Sequence, residues 1–336
     1  MSNWYSTEAK ENDIVVSTRI RLARNLENTP FPSFMDIEGK KQVAEKIKKA
    51  ILESDTPFAK SLRFISMEDV PENEIYAMVE RHIISPEFAK NPEGRAVIIS
   101  EDESICIMIC EEDHIRIQVI LPGLNLEEAY ETASKIDDLL SSKLKFAFDS
   151  KLGYLTECPT NIGTGLRASV MLHLPFMEGS GGIGEISETI GKIGFTVRGM
   201  YGEGSKSKAS LYQISNQITL GITEKNAIDN LGVIAGQLIN KERTERDSFD
   251  QIKLEDIVWR AYGTLKNQRI LSSDEMMRLV SKIKIGISKG ILPFENTLPL
   301  KILIETQPYM LCRKHGDKTP NERDILRAKT VRNMIP

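Results

Sequence analysis

The stretch Cys158-Pro-Thr-Asn-Ile-Gly-Thr-Gly-Leu-Arg-Ala-Ser-Val-Met-Leu-His-Leu174 decides how this chain is read. Pro159 stiffens its entry, and Gly163 and Gly165 lack the Cβ that would keep backbone away from a ligand. From Arg167 the residues alternate as a strand does. Ala168, Val170, Leu172 and Leu174 fall on one face, with Arg167, Ser169, Met171 and His173 on the other. One apolar and one basic face predict a sheet packed on one side and facing an anion on the other. By itself the stretch is also compatible with a loop feeding an ordinary half-buried strand. Recurrence of the pattern elsewhere shifts the balance.

Working outward, Ile14–Leu22 (IVVSTRIRL) alternates too. Val16, Thr18, Ile20 and Leu22 share one face; Val15, Ser17, Arg19 and Arg21 share the other. A hairpin is expected over residues 95–109, running into Cys110-Glu-Glu-Asp-His-Ile-Arg-Ile-Gln118. Glu112, His114, Arg116 and Gln118 have one parity there, and three acids directly before a strand are usually a solvated turn. Phe195–Ser205 reads as a strand bearing Arg198, then a glycine-flanked loop that presents Glu203. Tyr212, Ile214, Ile218 and Leu220 mark a further alternating strand.

Helical spacing covers residues 37–53 and 72–82, where Pro86 is expected to stop the second helix and His82 lies at its end. Asn125 with Glu128 predicts a helix start, and the helix runs to about residue 144. Gly179-Ser-Gly-Gly-Ile-Gly184 matches G-x-G-x-x-G, but hairpins rather than a βαβ unit precede it, so a flexible loop is the expected form. A helix follows, over 183–193. Past residue 221 only helices are expected, with the charged stretch 241–250 as a boundary. Thr319-Pro-Asn-Glu322 sets an N-cap, an N1 proline and an N3 glutamate in register, opening a helix with Arg323, Asp324 and Arg327 close together.

The 336 residues carry a formal net charge of −4 and 40% hydrophobic side chains, which suits a soluble globular protein and gives no reason to expect nucleic-acid or membrane binding. Four cysteines, at 106, 110, 158 and 312, are too few for a disulfide scaffold, and no structural zinc or other metal site is expected. A cytoplasmic location is the corresponding expectation, the first residues lacking a signal pattern.

Arg19, Arg21, Arg116, Arg167 and Arg198 gathered on one sheet face would repel one another unless an anion lies among them. No Walker A spacing is present, yet arginine forks can hold a triphosphate without a P-loop. Glu112 and Glu203 beside them suit a cationic nucleophile that must be oriented and deprotonated.

The segments STRIR, EEDHIR, CPTNIGTGLRAS and RGMYGEGS, in this order, resemble the catalytic segments of the guanidino (phosphagen) kinases, and most of all their bacterial protein-arginine-kinase branch. The likeness covers about residues 14–221, and RDILRA at 323–328 resembles that branch's phosphoarginine-binding motif. It implies an α+β fold: an antiparallel sheet flanked by helices (a phosphagen kinase or glutamine synthetase-like catalytic domain, 1–245), then a smaller all-helical C-terminal domain (246–336). It implies ATP with Mg2+ held mainly through the phosphates. The nucleotide would contact Ser17, Thr18, Arg19, Ile20, Arg21, His82, Arg116, Arg167, Ala168, Ser169, Val170, Met171, Arg198, Gly199, Met200, Tyr201, Gly202 and Glu203. Glu112, Glu203 and Cys158 would be catalytic. Arg323, Asp324, Arg327 and Ala328 would form an allosteric phosphoarginine site. Implied partners are proteins bearing exposed arginines, stress-response repressors, a zinc-containing activator, a Clp ATPase/protease and a second copy of the chain.

The likeness has two departures. Cys110 stands where the family has asparagine, and STRIR begins only 17 residues in, so the small helical domain that closes metabolite kinases is expected to be missing. That opening would admit an arginine on a protein surface. The competing readings are a kinase of a free guanidino metabolite, a non-catalytic phosphoarginine-binding adaptor, and a nicotinamide-binding protein built on the glycine run.

Overall fold

The computed structural model describes residues 3–54, 56, 58–199 and 208–336. Its strands in chain order are β1 (Val15–Arg24), β2 (Leu62–Ser66), β3 (Ala96–Ser100), β4 (Ile105–Ile109), β5 (Ile115–Pro122), the small hairpin β6 (Phe148–Asp149) and β7 (Gly153–Tyr154), β8 (Leu166–His173), β9 (Phe195–Gly199) and β10 (Leu211–Asn216). All but the small hairpin join one antiparallel sheet in the order β2-β3-β4-β5-β1-β8-β10-β9. The chain is therefore the expected α+β fold.

Parity sorts the sheet into two faces. Ile20, Leu22, Ala168, Val170, Leu172, Ile107, Ile117 and Ile214 are buried under α1 (Ile37–Leu52), α4 (Leu126–Ser141) and α7 (Glu224–Ser248). Fully burying an aliphatic side chain of this size contributes roughly 1.5–3 kcal/mol, so this layer holds the sheet. On the opposite face, α2 (Glu72–Glu80) and α3 (Pro86–Lys90) cover Val97, Ile99, Cys106 and Met108 at one end. Helices α5 (Pro175–Gly179) and α6 (Gly182–Gly191) add Met177 and Ile190 to the first layer, and past α7 the chain continues as α8 (Gln251–Asn267), α9 (Ser273–Ser288), α10 (Leu298–Glu305), α11 (Pro308–His315), whose Tyr309 stacks on Tyr76 of α2, and α12 (Pro320–Met334). At the other end of that face, the core built by α8, α9, α10 and α12 takes in Val16, Ala209 and Leu211 from the sheet side. Between these two covered ends the arginine-bearing surface is left open as a cleft. The N-terminal segment is tied to α9 by Lys284 Nζ, which donates to the Asn12 carbonyl at 2.6 Å.

Several expectations change. A bulge between Val15 and Ser17 sends Val15 into the main core and Val16 toward the C-terminal helices, reversing the assignment of Val16. Pro86 begins α3 instead of stopping a helix: it sits at the first position, where no N–H is needed, while Ser85 Oγ accepts from Phe88 N at 3.0 Å. The preceding helix ends at Glu80, two residues short of His82, which sits past it at φ +63°. Asn125 precedes α4 without capping it, its amide donating to the Pro122 carbonyl at 2.6 Å. The glycine run is not a loop. It joins α5 to α6 through Gly181 at φ +80°, and the antiparallel sheet supplies no βαβ unit for a dinucleotide. Strand β10 ends at Asn216 because that side chain takes over the bonding, accepting from Ala168 N (2.8 Å) and donating to the Leu166 and Ile218 carbonyls. Ile218 and Leu220 are consequently exposed. The charged stretch 241–250 is helical as far as Ser248, and Asp250 caps α8 by accepting from Lys253 N at 2.9 Å. At Thr319 the capping box is complete.

Candidate active site

Register places the arginines. Arg21 on β1 lies opposite Gln118 of β5 and Arg167 of β8; Arg19 lies opposite Ile120 and Ser169; Arg116 is opposite Ala23; Arg198 of β9 is opposite Gln213 of β10. Residues directly opposite in an antiparallel pair share a face, so the five guanidinium groups lie on one surface. Arg19 Nη2 donates to Gln213 Oε1 at 2.7 Å. Arg21 Nε is buried and bonded to nothing among the described residues. Burial, then the charges of Arg116 and Arg167, lower Arg19 to about 10. Burial and then Arg19, Arg116 and Arg167 push Arg21 well below its ordinary value. Arg167 is lowered by burial and by Arg198 and Arg116. Concentrated positive charge of this kind is destabilising until an anion enters.

Two cavities meet on this surface. The larger, about 350 Å³, is lined by Ser17, Arg19, Arg21, His82, Arg116, Ser169 and Met171 among others. The smaller, about 170 Å³, is lined by Glu112, Cys158, Thr160, Asn161 and Arg167. Arg21 and Arg116 line both. His82, pushed down to about 4 by burial and then by Arg19, is neutral near pH 7. Cys158 Sγ lies 3.1 Å from Thr160 Oγ1.

The three acids do not make a solvated turn. Cys110, at φ +59°, reverses the chain so that Cys110 N bonds the His114 carbonyl at 3.0 Å. Glu111 pairs with Arg116 and accepts from Ser85 Oγ. Asp113 accepts from Asn25 Nδ2 (2.6 Å) and Glu157 N (2.9 Å), which ties the turn to the residue before Cys158. Glu112 is the one acid of the three that lines the small cavity. At the departure from the family pattern, the Cys110 carbonyl accepts from Arg95 Nε at 3.2 Å, and burial pushes its thiol up to about 12. Cys110 lies beyond the end of β4 at Ile109, while Cys106 is within the strand.

Some expected nucleotide contacts point elsewhere. Thr18, Ile20, Ala168 and Val170 are fully buried away from the cleft, and Thr18 Oγ1 donates to the Gly123 carbonyl at 2.7 Å. Gly199 ends β9 beside Arg198; Met200, Tyr201, Gly202 and Glu203 lie outside the described residues. Gln118, Gln213, Asn161 and Ser85 were not anticipated. Gln213 was legible in principle, since it carries the opposite parity to the apolar Tyr212 and Ile214.

The RDILRA helix also differs from expectation. Arg327 is 1% exposed, donates to the Thr306 (2.9 Å) and Leu271 (2.8 Å) carbonyls, and pairs with Asp324. Ala328 is buried. Only Arg323 and Asp324 remain partly accessible, so three side chains do not crowd one exposed surface.

An antiparallel sheet carrying an arginine cleft that opens onto a glutamate–cysteine pocket defines a phosphotransferase acting on a cationic acceptor. The chain belongs to the ATP:guanido phosphotransferase family, whose C-terminal catalytic domain model matches residues 42–245. Residues 251–336 match the model of the protein-arginine kinase McsB C-terminal domain. Among its relatives, the protein-arginine kinase of Halothermothrix orenii is 46% identical, with all of this chain and 97% of that protein aligned. That of Bacillus subtilis is 41% identical over 100% and 93%. In fold the chain is similar to lombricine kinase (TM-score 0.62, 21% identity, covering 74% of this chain and 71% of that one). It is also similar to the duplicated taurocyamine kinase of Schistosoma mansoni (TM-score 0.63, 24% identity, covering 95% of this chain and 43% of that one). Among the described residues no helix is long and apolar enough to cross a membrane.

Proposed function

We propose that this chain is an ATP-dependent protein-arginine kinase, moving the γ-phosphoryl group of ATP to arginine side chains of proteins. The observation that carries the reading is the meeting of the two cavities at Arg21 and Arg116. A triphosphate in the larger cavity has its terminal phosphoryl group between those guanidiniums and a substrate guanidinium held by Glu112 in the smaller. Arg19, Arg21, Arg116, Arg167 and Arg198 hold phosphate oxygens, and their fixed charge stabilises the transferring group without reorganisation. Magnesium would accompany the phosphates. Arginine's pKa exceeds about 12, so its nitrogen must lose a proton as the N–P bond forms and the bond to the ADP oxygen breaks. Glu112, with Glu203, positions the guanidinium and takes that proton, and Cys158 lies beside it.

We read residues 1–245 as the catalytic unit and 246–336 as a regulatory unit in which Arg323 and Asp324 contact free phosphoarginine, with Arg327 holding the helix. The relatives' names and the second family match support the protein-directed reading over a free guanidino metabolite. A cytoplasmic enzyme that forms a dimer, responds to stress and hands marked proteins to a Clp protease, with a zinc-containing activator, completes it. Incubating an arginine-rich protein with Mg-ATP and following intact mass tests the activity. We expect an acid-labile phosphate on the protein and about 10²–10⁴-fold less of it per unit time with Glu112→Gln or Glu203→Gln. Phosphate that survives acid, or transfer only to free arginine, would refute the assignment.

A further inference from the structure

The nucleotide cleft is not built by the catalytic sheet alone. Leu300 of α10 and Gln307, just before α11, also line it. Along β5 it is lined by Arg116, Gln118 and Ile120. Arg116 marks the end it shares with the small cavity, and Ile120 is four residues along the strand, about 13 Å at the usual rise per residue. Ile120 packs with Trp4, Ile304 and Leu300, so the C-terminal helices close the cleft at the end away from phosphoryl transfer. On the reading that the cleft takes ATP, this is where the base lies.

Gln307 is held from both sides. Arg327 Nε fixes the carbonyl of Thr306, and the Glu80 carboxylate accepts from Tyr309 N (3.0 Å) and Met310 N (2.7 Å). Its Nε2 donates to the Leu303 carbonyl at 2.8 Å. Only the amide nitrogen can face a carbonyl oxygen, so this bond fixes which end of the side chain points where. Oε1 is left as an acceptor that no donor among the described residues engages.

We propose that Gln307 is the specificity-determining residue for the nucleotide base, its Oε1 accepting from the exocyclic 6-amino group of adenine. A 6-oxo purine presents an acceptor to the same oxygen and is rejected. The C-terminal helices thereby take part in substrate choice as well as in any regulation. Titrating the full chain with ADP, inosine diphosphate and tripolyphosphate tests this. Wild type should bind ADP about tenfold or more tightly than inosine diphosphate, a difference of about 1.4 kcal/mol. Gln307→Met should lose that preference by weakening ADP, with tripolyphosphate affinity and melting temperature unchanged. Equal affinity of wild type for ADP and inosine diphosphate overturns the proposal without recourse to any variant. So does a folded Gln307→Met protein that keeps the preference. If wild type binds neither ADP nor tripolyphosphate, the nucleotide reading of the cleft falls, and the base assignment falls with it.

Discussion

The chain holds two kinds of arginine. Arg24, Arg81 and Arg327 are almost wholly buried, and each is saturated with partners. Arg24 bonds Asp137 (2.8 Å to Oδ2), the Ala23 and Thr164 carbonyls, and lies 3.5 Å over the Tyr154 ring. Arg81 is gripped by Glu103 and Glu74, and Arg327 by two carbonyls and Asp324. Arg19 and Arg21, a few residues before Arg24, face the charges of Arg116 and Arg167, with the Gln213 amide oxygen as an acceptor for Arg19. Guanidiniums that complete their own bonding hold the fold together. Those left facing like charge define where an anion goes, and the contrast separates architecture from chemistry more sharply than residue type does.

The contrast is broken or sharpened first by Arg24→Ala. Removing that side chain strands the buried Asp137 carboxylate and should cost about 3–5 kcal/mol of stability, read from denaturant midpoints. Arg21→Ala should do the reverse in kind: turnover falls by about 10²–10³-fold and ADP affinity weakens, while the denaturant midpoint holds steady or rises. If both variants lose stability alike, the two classes are one. Next comes the RDILRA helix. Arg323→Ala should change stability by less than about 0.5 kcal/mol yet abolish any stimulation by free phosphoarginine, measured as initial rates with and without it. Arg327→Ala should lower the melting temperature whether or not ligand is present.

The smallest effect concerns Glu242, whose carboxylate accepts from Phe176 N (3.0 Å) and Met177 N (2.9 Å). Burial, then Glu245, raises it to about 7 against the opposing pull of those two N–H groups and Arg246. In the unfolded chain it ionises near its ordinary value of 4.5, so between there and about 7 the folded state binds the extra proton. Its contribution is thus complete at low pH and is lost as pH rises through about 7. Glu242→Gln should flatten the fall in melting temperature between about pH 5 and 7.5. An unchanged slope would show that the backbone donors keep the group ionised throughout.

Much of this was legible in period-2 parity. Alternation alone put Arg19, Arg21 and Arg167 on one face and Ala168, Val170 and Leu172 on the other, because a strand offers only two directions. What parity could not show was where strands stop counting by two. The bulge at Val15–Ser17 and the positive φ of Cys110 are decided by pairing and turn closure, which a single segment does not encode. Nor could it show that Arg327 is spoken for. Its partners, Thr306 and Leu271, lie 21 and 56 residues away, and only the packed helices bring those carbonyls to it. The motif spacing was correct, while the available chemistry depended on contacts remote in sequence.

Because β1 changes face at Val15–Ser17, one continuous strand is stitched into both hydrophobic cores. A gene that dropped the segment for the last five helices would leave Val16, Ala209 and Leu211 bare, an adhesive strip along a sheet that is otherwise finished. Those helices are therefore part of how the sheet is finished, and not a detachable appendage of it.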